Sequence, residues 1–329
     1  MIKIVCESLQ EYRLFEASGD TDVSPESTKN AHPAKTLKTM LNMPYDQFIA
    51  TLKNAANDPK IDRVMSLGRK DGIPTDEIIK VTAGNYLVAK LRPTQSQIGL
   101  GDSLAWLRDN DPTGQTATNL INGDTSGFNN ARILIANGKY IIDGHHRWSQ
   151  VFMFNPKDSI PAINLEIPGF TDPKQLLKIV QMAIASTYKN IPSSAASSDT
   201  DIFNDSVMSE EQIRKALPGL MGRPMIDACK AAYGKMLHKQ LTDEDVNNIM
   251  TSHAMMIKKY KPVNAPPRSE MPQPSDAAKA VGKDKAGVQG IPTDFVQKLK
   301  SGQLNFKAPL IANQPVKNQN SMQNSTQTA

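Results

Sequence analysis

The feature that most restricts the fold is a hairpin that runs directly into a helix. Arg132-Ile133-Leu134-Ile135-Ala136 is followed by Asn137-Gly138 and then by Lys139-Tyr140-Ile141-Ile142. Asn-Gly between two apolar runs marks a two-residue hairpin turn, because both residues tolerate positive φ. The second strand runs on into Asp143-Gly144-His145-His146-Arg147-Trp148, and a helix is expected from there through Phe154. The first N–H groups of such a helix have no intrahelical partners. With the positive end of the helix dipole they form a site suited to an anion.

The side chains at this junction fit phosphate chemistry. Gly144 lets another group approach the backbone, and Arg147 is placed to make a bidentate contact with phosphate. Asp143, expected at the helix N-cap, is a candidate Mg²⁺ ligand or general base toward a hydroxyl. His145 ordinarily titrates near neutrality and suits proton transfer. A plainer reading stands beside this one: Asp143 caps the helix, Arg147 pairs with a surface acid, and the histidines are ordinary polar residues. Zinc fits poorly, since adjacent helical histidines point about 100° apart and no third ligand has suitable spacing.

Around the junction, Tyr86–Leu91 reads as a strand, followed by Arg92-Pro93-Thr94-Gln95-Ser96-Gln97. Asp102-Ser103 is expected to cap a helix over Leu104–Asp109, and Ile160–Ile167 and Pro173–Tyr188 read as a strand and an amphipathic helix. This gives an α+β domain over 78–188, with a small mixed sheet of five or six strands. Before it come an amphipathic segment (1–17), a linker (18–43) and a helical segment (44–77). After it come a linker (189–208) and a helical unit (209–260), where Ser209-Glu210-Glu211-Gln212 spells a capping box.

Length and charge refine this layout. A chain of 329 residues has room for about two domains. The net charge of +5 lies entirely beyond residue 260, where nine Lys/Arg face four Asp/Glu. Residues 1–260 are neutral, so a basic groove for nucleic acid is not expected on the folded part. Residues 261–329, with eight prolines, are expected to be a disordered basic tail that contacts DNA or another polyanion, apart from a short helix at 292–300. No run approaches the about 18 apolar residues of a membrane span, so no membrane partner is expected. Cys6 and Cys229 match no zinc or redox spacing, and no secretory signal is evident, which suits a reducing, cytoplasm-like setting.

In order and motif, residues 78–188 resemble the ParB/sulfiredoxin superfamily. Its first box is similar to Arg92-Pro93-Thr94-Gln95-Ser96-Gln97, and its second, Gly-x-x-Arg at a helix start, to Gly144-His145-His146-Arg147. The resemblance implies a nucleotide such as ATP, ADP or CTP, with Mg²⁺ at Asp143. It places the phosphates at Gly144, His146 and Arg147, with Arg92, Thr94 and Gln95 supplying the first box. Sulfiredoxins carry a reactive cysteine after the glycine, where this chain has His145, so sulfinic-acid reduction is not implied. Partition proteins have Glu-Arg where His145-His146 stands, a departure from their CTP-switch box. The Asp-Gly-His-x-Arg box of free-serine kinases matches Asp143, Gly144, His145 and Arg147, implying phosphoryl transfer with Asp143 and His145 as catalytic residues. Many members are ParB-like nucleases, and partition proteins carry a DNA-binding helical domain where 209–260 lies. That unit has eight basic and six acidic residues, without a basic recognition face.

A second resemblance concerns the N-terminus. Residues 1–17 are similar to the targeting propeptides of internal capsid proteins of T-even-like phages, removed after a Leu/Ile-x-Glu triplet. Leu14-Phe15-Glu16 matches, with the cut after Glu16. This implies a phage protein, located in the virion or in the host cytoplasm. The function expected is nucleotide binding at the strand–helix junction with phosphotransferase, NTPase or nuclease activity. The alternative is a non-catalytic virion or internal capsid protein that uses the domain to bind capsid or virion partners.

Overall fold

A computed structural model of the chain describes residues 39–59, 61, 65, 79–167, 170–192, 200–271, 273–282 and 291–304. The protein is α+β. The N-terminal segment with Glu16, and most of the linker after it, lie outside the described residues.

The sheet has four strands: β1 (Lys80–Leu87), β2 (Ile133–Ala136), β3 (Tyr140–Asp143) and β4 (Ser159–Glu166), in the spatial order β1-β4-β2-β3. β1 pairs antiparallel with β4, β4 parallel with β2, and β2 antiparallel with β3. Among the described residues the sheet has four strands, fewer than the expected five or six, and residues 80–87 form one continuous strand. The chain leaves the sheet at Leu87, not Leu91. Val88–Lys90 make a 3-10 turn, with Val88 N–H donating to the Asp158 carbonyl and the Trp148 indole N–H donating to the Val88 carbonyl.

The Asn-Gly turn forms as the sequence requires, with Asn137 at φ 51° and Gly138 at φ 65°. Asn137 also fixes the end of β4: its amide donates to the carbonyls of Ile167 and Phe170, each at 3.0 Å, and its oxygen accepts from Ile167 N–H at 2.7 Å.

At β2 the sheet is covered on both faces, which explains why this strand is apolar at every position instead of alternating. Leu134 and Ala136 point into one core and Ile133 and Ile135 into the other. The first face carries α1 (Tyr45–Ala55) and the long helix that follows β4. The second carries α2 (Leu100–Asn110), α3 (Gln115–Ile121) and α4 (His145–Phe154). α2 begins after Gly99, about a turn before the expected Asp102-Ser103 cap, and the Ser103 hydroxyl donates back to the Gly99 carbonyl. α5 (Pro173–Tyr188) begins where the sequence places it, with Asp172 accepting from Lys174 N–H at 2.9 Å and Pro173 in the first turn.

Three helices continue on the second face: α6 (Glu210–Met221), α7 (Arg223–Leu237) and α8 (Asp243–Lys258). The capping box expected at Ser209/Gln212 is built, and a second one forms at Thr242/Asp245. The three share the core of α4: Tyr233 donates to the Phe154 carbonyl at 2.6 Å, and His253 Nδ1 lies 2.7 Å from the Met153 carbonyl.

The basic tail is corrected in part. Residues 261–271 and 273–282 are folded, including α9 (Pro274–Ala280), and residues 291–304 carry α10 (Thr293–Lys300), the short helix expected at 292–300. Met271, Ala277, Phe295 and Leu299 are buried in the same core as α5, and Tyr188 donates to Asp294 at 2.9 Å. A few well-spaced apolar residues dock this segment, although its average composition is polar. Residues 305–329 lie outside the described residues. Among the described residues no helix is long and apolar enough to cross a membrane.

Candidate functional site

A cleft of about 410 Å³ opens at the β3–α4 junction. Asp143, Gly144, His145, His146 and Arg147 line it, together with Gln95 from the loop after β1. α2 contributes Asp102 and Trp106, the 3-10 turn before β2 contributes Phe128, and the C-terminal segment contributes Gln273 and Ser275.

Asp143 is the last residue of β3 and does not cap α4. The N-cap is Gly144, and no side chain caps this helix. Gly144 has φ +97°, and a Cβ built on it would stand 2.4 Å from Ile133 Cγ2. Only glycine satisfies both the left-handed backbone and the close packing on β2. This turn carries Asp143 inward and leaves the first turn of α4 facing the cleft.

Asp143 is 2% exposed; its Oδ1 lies 3.4 Å from Arg147 Nη2, and its Oδ2 is buried without a hydrogen-bond partner. Burial raises the carboxyl above its ordinary value; Arg147 opposes the rise, Asp276 adds to it, and Arg268 opposes it. Asp276 and Arg268 come from the C-terminal segment, where they pair at 3.3 Å.

His145 is 1% exposed, and its Nε2 accepts the Thr94 N–H at 3.1 Å. Burial holds its imidazole well below the ordinary value, helped by Arg268, His146 and Arg147. A neutral ring accepting at Nε2 carries its proton on Nδ1. That Nδ1 is buried and has no partner. His146 turns the other way, toward α2, where its Nδ1 lies 3.1 Å from Ser103 Oγ. Burial lowers its imidazole as well, opposed by Asp102.

The first box divides. Thr94 supports the site from below, with its hydroxyl on the Ile141 carbonyl and its N–H on His145. Gln95 lines the cleft, 1% exposed, with its Oε1 buried and unpartnered. Arg92 does not line the cleft. Its guanidinium donates to the carbonyls of Ala89 and Leu91 and lies 4.6 Å from the centre of the Tyr260 ring. Its strand bonds lead there: Arg92 N–H donates to the Lys139 carbonyl and its own carbonyl accepts from Ile141, which fixes Arg92 beside β3.

Trp106, Phe128, Gln150, Gln273 and Ser275 are cleft residues that sequence reasoning missed. Trp106 had a legible signal, a bulky aromatic on a short amphipathic helix. Gln273 and Ser275 had none, lying in a stretch whose composition reads as a tail. Among the described residues, no group of three or more His, Cys, Asp or Glu is placed to hold a metal ion. A Mg²⁺ here would be held by Asp143, whose unpartnered Oδ2 fits that role, with phosphate and water oxygens completing its shell.

No protein-family model, curated protein or solved structure matches the chain.

Proposed function

We propose that the protein binds a nucleotide through its phosphates at the start of α4 and transfers or hydrolyses a phosphoryl group there. One observation carries this reading. Three buried polar atoms without partners, Asp143 Oδ2, His145 Nδ1 and Gln95 Oε1, belong to side chains lining the same cleft as an uncapped helix start. An unsatisfied buried polar group costs about 1–3 kcal/mol, so three around one cleft favour a ligand that completes them.

The chemistry divides by charge. N–H groups of the α4 first turn, the Arg147 guanidinium and the His145 Nδ1–H are donors, and phosphate oxygens are acceptors. Asp143 and Gln95 Oε1 are acceptors, and they suit a substrate hydroxyl, a water or an amine. A carboxyl raised by burial is a better proton acceptor than an ordinary one, so Asp143 can take the proton of an attacking hydroxyl. Mg²⁺ entering with the nucleotide would neutralise phosphate charge beside Asp143.

The test is a thermal-shift panel of ATP, ADP, CTP and GTP, with and without Mg²⁺. A ligand at about 100 times its Kd stabilises by about 2.7 kcal/mol. Arg147→Ala is expected to abolish the shift. Asp143→Asn is expected to keep the fold and lose turnover and Mg²⁺-dependent binding. Absence of a shift with all four nucleotides refutes the proposal, and equal turnover in wild type and Asp143→Asn removes its catalytic part.

A further inference from the structure

Away from the α4 junction the cleft is lined by polar residues and by two aromatic ones. Trp106 on α2 and Phe128 line it along with the residues of the phosphate site. The protein has two tryptophans, and they differ sharply. Trp148 is fully buried, with its indole N–H bonded to the Val88 carbonyl, whereas Trp106 is 43% exposed. Next to Phe128, Gly127 has open space where a side chain would stand. An exposed indole lining the same cleft as buried, unpartnered polar atoms suits a flat ring tethered to an anion. At about 410 Å³ the cleft lies in the range of roughly 300–1,000 Å³ usual for small-molecule sites, far larger than one phosphate group needs.

We infer that Trp106 is the base-stacking residue of this site, and that its ligands are nucleotides held at both ends, not phosphosugars or inorganic polyphosphates held by phosphate alone. The inference rests on the phosphate reading above and adds to it a residue that sets specificity. Every nucleobase has a π-face, so stacking on Trp106 favours a base without choosing among the bases. Asp102, which also lines the cleft, is an acceptor available to a base amino group.

The experiment compares ATP with inorganic tripolyphosphate, which presents the same phosphates without a base. Affinities come from calorimetry on the full chain, and acrylamide quenching of tryptophan emission reports on the indole. Trp148 is shielded in the core, so the quenchable signal belongs to Trp106. ATP is expected to protect it and tripolyphosphate is not. Trp106→Ala should weaken ATP by about 5- to 150-fold, the range that one stacked base supports, and leave tripolyphosphate unchanged. Trp106→Phe should recover most of the loss, and Arg147→Ala should weaken both ligands.

The outcomes separate the two proposals. If tripolyphosphate binds in an Arg147-dependent way, but ATP binds no tighter and leaves Trp106 quenchable, the base site is wrong and the phosphate site stands. If neither ligand binds wild-type protein, both fall. The protection measurement and the ATP-to-tripolyphosphate ratio use wild-type protein, so the test does not depend on Trp106→Ala folding.

Discussion

Two strand-to-helix passages lie in this sheet, β3 into α4 and β4 into α5, and they are built in opposite ways. Before α5, Asp172 stands outside the helix, accepts the Lys174 N–H at 2.9 Å and is followed by Pro173, which has no N–H to satisfy. Before α4 there is no spacer. The strand ends at Asp143, Gly144 turns at φ +97°, and His145 opens a helix without a side-chain cap. Both passages carry an aspartate, yet one aspartate completes its helix and the other is buried with an oxygen left over. A helix start that satisfies itself is finished as structure. The α4 start has instead a glycine N-cap, and buried polar atoms without partners lie beside it.

The largest effect that sharpens this contrast comes from the α5 side. Phe295 of α10 is fully buried and stacks on Tyr188 at the end of α5, with ring centres 6.5 Å apart. Phe295→Ala should cost about 3–5 kcal/mol in denaturant unfolding. Nucleotide binding should be unchanged under conditions where the variant stays folded. A cost near zero would mean that the C-terminal segment is not part of the core.

Gly144→Ala follows. The left-handed backbone costs a non-glycine residue about 1–2 kcal/mol, and crowding against Ile133 adds about 1–3 kcal/mol. Chemical denaturation should show a loss of that combined order, together with loss of any ligand-induced shift. Unchanged stability would break the claim that only glycine fits this junction.

The pH dependence comes next. His145 and His146 are held below the ordinary imidazole value, chiefly by burial. Their stabilising contribution is therefore fully present above the unfolded value near 6.5 and is lost as pH falls toward the depressed native values. Each contributes a slope of up to about 1.4 kcal/mol per pH unit there. Melting curves between pH 8 and 5 should show wild type weakening on the acid side, with a shallower slope in His145→Gln. Identical slopes would mean that His145 is not buried neutral.

The smallest effect is at the closed passage. Asp172→Ala should cost about 1 kcal/mol, the ordinary worth of a helix cap, with no change in ligand response. A change in nucleotide binding would erase the distinction between the two starts.

Much of the fold was legible locally. The Asn137-Gly138 turn, the helix from His145 to Phe154, α5 from Pro173 to Tyr188 and the Ser209/Gln212 capping box follow from residues a few positions apart. β1 was harder to delimit: Tyr86-Leu87-Val88 looks like a strand beginning, but Val88 is drawn off the sheet by Asp158 and Trp148. In the C-terminal segment the short helix at 292–300 was legible, but its docking was not. Phe295 and Leu299 share one helical face, and two anchors decide docking where mean composition cannot.

The site divides in the same way. Turn chemistry and apolar period act over short range, so Gly144 and Arg147 are readable as standing at a strand–helix junction. Only the tertiary structure decided that Asp143 closes β3 instead of capping α4, and that Arg92 lies against Tyr260, away from the cleft. It also brought Trp106, Gln273 and Ser275 to the same cleft. Burial and charge proximity depend on elements more than a hundred residues apart, as when Arg268 and Asp276 act on Asp143. No local pattern encodes such a meeting, because it is the packing of both sheet faces that brings those residues together.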